Sequence, residues 1–570
     1  MRKVVVNIKI VLAMLVLSLN LSAKADYIDL EVVHKIKNQA FHHSKVMDYM
    51  HLLADENGPR VSGSPGYMRA AEIAVNAFEE AGISHAKLEP WGTFGRGWSW
   101  TRIAVQMKQP VATTLTAFPA DWTAATDKPV SGEVIFAPLW DKGDAPQVSD
   151  LEKTAIQIEA YKQKYRGKLG GKIVMIDHPV KFELPEESVK YRLDDEALDE
   201  LSKANEPGIK PPLEWPLIKL PIDADERARV WDGIPLEVSA DRWLMELKLG
   251  NRLAEFWLEE GVTAILKTTW ASPSAVIMQS DFGSFRDGDP IPPATAVLMP
   301  EHYNRIHRLL ERDVLVEVEV DIDAEFYGPN VDGVNVIAEL PGTGRGSSDQ
   351  NNGVVMLGAH LDSWHGATGA TDNAAGSAVV MEAMRILKSL GLEMKRDVRA
   401  ALWDGEEQGL FGSRGYVAKN FAEPITMTIK PDHAKLSAYF NLDNGGGKIR
   451  GVYLQGNDMA RPILSAWMAP FADLGVATTT IVNTDGTDHL AFEAVGLPGF
   501  NFIQDPLDSN LNTHHSNVDH VGHIIPGDLM QAAAVMAAFV YQAATRDEMM
   551  PRKPLPEPLP EKNTLPKILQ

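Results

Sequence analysis

The sequence predicts an α/β fold: a mixed, mostly parallel sheet flanked by helices, interrupted by an inserted β-rich domain. Three observations carry that expectation. Residues 354–359 are a short apolar run with β-branched members, the composition of a strand buried on both faces of a parallel sheet. From Ala374 onward Val379, Val380, Ala383, Met384 and Leu387 recur at helical spacing, so a loop and a helix follow that strand. Between 127 and 328 the texture changes to short β runs, at 132–136 and 171–176, separated by Pro-rich and charged segments.

In chain order, residues 1–25 read as a cleaved secretory signal: Arg2, Lys3 and Lys9, an apolar stretch from Ile10 to Leu19, then Ala23-Lys24-Ala25 before Asp26. The apolar stretch is too short to span a membrane. Residues 26–126 open an α/β domain, where Ala70, Ile73, Ala74, Ala77 and Phe78 mark a helix over 67–81 that Gly82 closes. Residues 127–328 form the insertion. It ends in VLVEVEVDID at 314–323, where apolar and acidic residues alternate as in a strand with one buried and one wet face. Its stretch 184–261 is helical and Pro-rich, and it contains no catalytic cluster of its own. Residues 329–548 resume the α/β pattern, and the Pro-rich tail 549–570 is expected to be extended or disordered.

At 570 residues the chain exceeds what one core usually organises. A formal net charge of -22 repels polyanions, which excludes nucleic acid as a partner and argues against an anionic membrane surface. There is no cysteine, so disulfides, thiol chemistry and a lipid-anchoring Cys are all excluded.

The chemistry gathers at the ends of four apolar runs. His360 follows the first and is joined by Asp362 and Asp372. Glu406 and Glu407 follow 398–403, Asp443 follows 436–442, and a loop with His514, His515 and Asp519 follows 497–503. In open α/β sheets, ligands bind beyond the carboxyl ends of the strands. Singly, Asp372 or Asn373 is a helix cap and His360 a surface residue, but four successive strand ends each delivering a His, Asp or Glu is not what independent caps produce. Two histidines and three carboxylates without sulfur suit Zn²⁺ and accept Co²⁺ or Mn²⁺. That exceeds the needs of one zinc and implies two ions sharing a carboxylate, with one carboxylate of the Glu406–Glu407 pair left to act as general base.

Taken together AHLDSW, GATDNAAG, GEEQGLFGS, FNLD and HHSNVDH resemble the co-catalytic di-zinc metallopeptidases, the family of carboxypeptidase Q (plasma glutamate carboxypeptidase) and bacterial zinc aminopeptidases. NGPRVSGSPGYMRAAE at 57–72 resembles the opening of that domain, and the insertion resembles its protease-associated domain. The resemblance implies a zinc exopeptidase-like fold. It also implies His360 and Asp443 on one metal, Glu407 and His515 on the other, Asp372 bridging and Glu406 as base. His515 is preferred to His514 because Ser516 follows it and Asp519 lies three positions further on; His520 departs from the usual Thr. Asp362 is expected to accept the second N–H of His360, and His489 in GTDHLAF is either an oxyanion donor or a structural or surface histidine. The activity implied is hydrolysis of small peptides, as aminopeptidase, dipeptidase or carboxypeptidase, with a homodimer left open. The competing expectations are a receptor or scaffold that has lost its metals and a single-zinc glutaminyl cyclase.

Overall fold

The computed structural model describes residues 28–141, 150–181, 190–211, 213, 215, 218, 220–221, 224–231, 233–269, 276–278, 282–344, 353–484 and 486–569. The expected signal segment lies outside them. Helix α1 (Pro65–Glu80) starts on the Ser64 hydroxyl, which accepts the Tyr67 N–H, and it buries Ala70, Ala71, Ala74, Ala77 and Phe78. It leads into β1 (Lys87–Gln109). The insertion then lays down β2 (Val130–Phe136), β3 (Ile173–Met175), α2 (Leu236–Glu260), β4 (Ala264–Thr268) and β5 (Thr295–Leu298). The chain returns along β6 (Glu317–Leu340), antiparallel to β1 over nearly its whole length. Next come β7 (Val354–His360), α3 (Ala375–Leu390), β8 (Asp397–Trp403), α4 (Phe411–Asn420), β9 (Leu436–Asn441), β10 (Ile449–Tyr453), β11 (Thr478–Thr480), β12 (Gly499–Gln504) and α5 (Pro526–Thr545).

In the main sheet the strands run β11-β10-β12-β9-β7-β8-β6. The four central ones, β12, β9, β7 and β8, are mutually parallel, while β10 runs against β12 but with β11, and β6 runs against β8. The four apolar runs therefore end on one edge. One face is covered by Leu30–His42, α1, α3 and α5, and the other by α4 and His489–Glu493, so the central strands are buried on both sides. No helix among the described residues is long and apolar enough to cross a membrane.

The insertion is less β-rich than expected. Its strands β2, β3, β4 and β5 pair in parallel, and helices Leu151–Tyr165, α2 and Pro300–Leu310 accompany them. Short apolar runs announce strands clearly, whereas helices carrying many charged residues, such as LEKTAIQIEAYKQKY, expose little apolar pattern. The long β1–β6 ribbon joins the two sheets. Val318, Val320 and Ile322 point into the insertion's core while the residues between them are half-exposed, as the alternation predicts. Strands Thr113–Leu115 and Ala117–Pro119 already pair on the insertion side, ahead of the expected boundary at 127.

The tail also departs from expectation. It is extended but packed: Arg552 donates to the carbonyls of His433 and Leu436, and Leu569 is buried in the core formed with α2 and Leu151–Tyr165. Proline removes donors and fixes φ without preventing order, and here side-chain anchors supply it.

Candidate metal centre

The site is built from the loops that follow β7, β8, β9 and β12. At the end of β7 the His360 Nδ1 lies 3.0 Å from the Asp362 carbonyl oxygen. A carbonyl only accepts, so Nδ1 carries a hydrogen, and Nε2 is the atom that faces the site. That Nε2 is 3.1 Å from Asp372 Oδ1 and 3.4 Å from Asp443 Oδ1. The nearest acceptor for the imidazole is thus the Asp362 main chain, with the Asp362 carboxylate further off. The carboxylate lies 3.5 Å from Nδ1 and is turned to another task, accepting the N–H groups of Glu406 and Glu407 at 3.3 and 3.2 Å and the Ser62 hydroxyl at 3.2 Å. It thus fixes the turn that presents both glutamates.

The cap and the candidate bridge separate cleanly at Asp372 and Asn373. The Asn373 Oδ1 accepts the Gly376 N–H at 2.9 Å and caps α3, which leaves the Asp372 side chain free. Asp519 accepts the main-chain N–H groups of Thr371 and Asp372 at 2.7 and 3.1 Å, and so holds Asp372 in place. Burial pushes the Asp519 carboxyl up to about 7 against those two donors. The second oxygen of Asp372 lies 3.3 Å from His515 Nε2, which is itself 2.8 Å from Glu407 Oε2. His514 stacks on His515 at 3.8 Å between ring centres and reaches only to 3.8 Å from Asp372. His515 has φ 51, a left-handed backbone that a non-glycine residue adopts at a cost. Pairing of Met278 with Ser516, and of Ile277 with Asn517, holds this loop from the insertion.

Two donor groups result, His360 with Asp372 and Asp443, and Asp372 with His514 and His515. Three features fit them to divalent cations. All donors are imidazole nitrogen or carboxylate oxygen, the set that zinc accepts. The buried His360 Nε2 and Glu407 Oε1 make no hydrogen bond, an arrangement that is costly unless something else satisfies them. Burial disfavours charge on His360 and His515, yet the surrounding carboxylates, Asp443 foremost for His360 and Glu407 for His515, hold both protonated well above the usual imidazole range. Positive charge is what this cluster demands.

His489 does not join them. It is fully buried, its Nε2 lies 2.8 Å from the Gln455 amide and 3.1 Å from the Thr484 carbonyl, and burial lowers its pKa to about 4. A neutral ring tied up in this way supports the 455–484 loops and is not an oxyanion donor, which selects the structural alternative.

Arg60 carries no motif of its own, yet it organises the loop after β7. Fully buried, its guanidinium donates to the carbonyls of Leu361, Thr368 and Gly369 at 2.6–2.7 Å and to those of Leu53 and Gly58 at 3.3 and 3.2 Å. Burial lowers its pKa only to about 10, so it stays charged. Gly369, with φ 58, leaves room for this, since a Cβ there would stand 2.9 Å from Arg60 Nη2 and 2.4 Å from Ser363 Cβ. Its partners Leu361, Thr368 and Gly369 lie 301, 308 and 309 residues from Arg60, so only the resemblance of 57–72 to a domain opening hinted at it.

Comparison with known proteins agrees with this geometry. Residues 335–540 match the model of peptidase family M28. Carboxypeptidase Q of Mus musculus is 32% identical over 292 residues, which are 51% of this chain and 58% of that one. The chain thus spans little more than half the length of the carboxypeptidase Q sequences it matches. Among solved structures, a peptidase M28 precursor from Shewanella amazonensis superposes with a TM-score of 0.61 at 22% identity, covering 92% of this chain and 98% of that one. BSAP, a zinc aminopeptidase from Bacillus subtilis, gives 0.51 at 17% identity, covering 88% and 95%. These two likenesses bear on the fold, a mixed α/β architecture with a mostly parallel central sheet. All the candidate ligands, from His360 to His515, fall within 335–540, the segment that matches peptidase family M28.

Proposed function

We propose that this protein is a zinc exopeptidase that removes terminal residues from short peptides or splits dipeptides, using two cations held by His360 and Asp443 on one side and Glu407 and His515 on the other, with Asp372 between. One observation carries the reading: the two oxygens of Asp372 face two different histidines at different strand ends. The names of the relatives, carboxypeptidase Q and a zinc aminopeptidase, support it. When bound, the cations supply Lewis acidity that polarises a carbonyl and lowers the pKa of water. The chain's own residues do the rest. Asp362 fixes the Glu406–Glu407 turn, Asp519 fixes Asp372, and Glu406 lines the cavity with its carboxyl free of the ion-pair network. Burial, reinforced by Asp443, Glu407 and Asp488 and opposed by His360, lifts Glu406 well above the usual carboxylate range. A carboxylate of that basicity can take a proton from water, hold it and deliver it to the leaving amine.

Elemental analysis of purified protein is expected to give two zinc ions per chain, and a chelator should abolish dipeptide hydrolysis until Zn²⁺ is restored. A single tightly held ion with full activity would favour the single-zinc reading, and full activity after exhaustive chelation would remove the metallopeptidase reading. The basic, apolar and small-residue pattern of the first 25 residues supports export. Amino-terminal sequencing of the protein from its producing cell should begin near Asp26, and an intact Met1 would count against export.

A further inference from the structure

The cavity that opens onto Asp372, Glu406, Glu407, Asp443 and His515 has a volume of about 1400 Å³. That is larger than the ~300–1,000 Å³ of most small-ligand pockets, and enough for a short peptide. Its remaining wall has several sources. Peptidase loops and strand ends such as Tyr453, Asn483 and Gln504 make part of it, and two segments distant in sequence are added from outside: an arm of the insertion between Trp231 and Trp243, and the tail between Lys553 and Pro560.

Both segments are fastened down. On the arm, Glu237 pairs with Arg414 in α4, close after the Glu406–Glu407 turn. Further back along the same insertion, the Pro207 carbonyl accepts the Asn483 N–H at 2.7 Å and the Leu193 N–H donates to Asp505 at 3.0 Å. The tail is held at both ends. At its start, Lys553 pairs with Glu493 and donates to the Gln455 carbonyl at 2.6 Å, and at Leu559 its N–H reaches the Ile425 carbonyl at 3.0 Å. Beyond that it crosses to the insertion, where Lys562 pairs with Asp241 and lies over the Trp215 ring, the Asn563 N–H donates to the Trp215 carbonyl at 2.7 Å, and Arg252 holds the Ile568 carbonyl at 2.7 Å.

Between these anchors prolines occupy 554, 556, 558 and 560. Alternate prolines fix φ and remove every second N–H donor, so the segment is a stiff, extended spacer with little conformational entropy to lose. It lies close against the peptidase. Gly496 has φ 74, and a Cβ there would stand 2.9 Å from Pro556 Cδ and 3.1 Å from Leu555 Cδ2.

We propose that this proline strap and the 231–243 arm together close the far end of the substrate cavity and set a length limit, so that the site takes short peptides and excludes long chains. The proposal rests on the exopeptidase reading. A substrate with one terminus at the cluster would have to end before the strap or displace it, and displacement means breaking anchors on two parts of the fold at once.

The test compares zinc-loaded full-length protein with a variant in which Pro554, Pro556, Pro558 and Pro560 are all changed to Gly. This loosens the strap while keeping Lys553, Leu559 and Lys562. A second variant ends at Met550; because Leu569 packs in the insertion's core, its folding is checked by circular dichroism and the glycine variant carries the test if it fails. The readout is the ratio of kcat/KM for an unstructured decapeptide to that for a tripeptide with the same scissile bond. In the parent that ratio should be small, and in the glycine variant it should rise at least about tenfold. A parent that cleaves the decapeptide as well as the tripeptide, or a ratio unmoved in the variant, overturns the strap and leaves the peptidase standing. Failure of the parent on every length overturns the exopeptidase reading and this proposal with it.

Discussion

Glu406→Gln is expected to leave the metal content at the parent level while turnover falls by about 10²–10⁴, the usual worth of a positioned acid or base. The two adjacent glutamates are chemically identical, and their difference lies in where the turn after β8 sends them. Glu407 Oε2 is 2.8 Å from His515 and its other oxygen is buried without a hydrogen bond, the position of a group that holds a cation. Glu406 makes no ion pair of its own and its carboxyl faces the cavity with its pKa raised by burial. Glutamine is nearly isosteric and keeps an oxygen, so substrate should still bind. Glu407→Gln is expected to do the opposite, weakening one metal so that excess Zn²⁺ partly restores activity. Metal content measured alongside kcat for both variants checks the pair. A fall in metal for Glu406→Gln but not for Glu407→Gln reverses the two roles, and near-normal turnover in both would remove the hydrolase reading altogether.

The half of the fold that carries the site was readable because buried parallel strands are mostly apolar. The polar residues that follow each run therefore mark a strand end, and His360, Glu406 and Asp443 stand at or just beyond one. Other features depended on side-chain direction, which spacing does not encode. Asp372 and Asn373 are equally good caps by residue type; the structure gives the cap to Asn373 through Gly376. Asp362 sits two residues from His360, yet its carboxylate serves the glutamate turn of another strand. Arg60 escaped notice because its partners are carbonyls, which leave no trace in side-chain pattern. The tail was misread for a physical reason: proline-rich composition reports missing donors and fixed φ, and says nothing of whether Arg552, Lys553 and Lys562 find partners elsewhere. Likewise neither donor group found among the described residues takes a member from the insertion, yet its arm lines the cavity.

Asp372→Asn should weaken both metal sites together, by more than the ~10–100-fold that losing an outer partner costs, and should abolish measurable hydrolysis. The reason is geometric. Oδ1 faces His360 at 3.1 Å and Oδ2 faces His515 at 3.3 Å, so each oxygen belongs to a different donor group. An asparagine amide keeps one oxygen and replaces the other with an NH₂ that can only donate. Whichever way it turns, one group meets a donor where it needs an acceptor, and both lose the shared negative charge that balances two cations. The main chain should not move, because Asp519 holds the Thr371 and Asp372 N–H groups and Asn373 caps α3, and neither contact uses the Asp372 side chain. Asp443→Asn serves as the comparison, since that carboxylate belongs to the His360 group and not to the His515 group, and its loss should empty one group only. Zinc titration with a competing chelator separates the cases: two affinities falling together in Asp372→Asn and one in Asp443→Asn support the bridge, whereas a single affinity changed in both variants would show that Asp372 serves one ion.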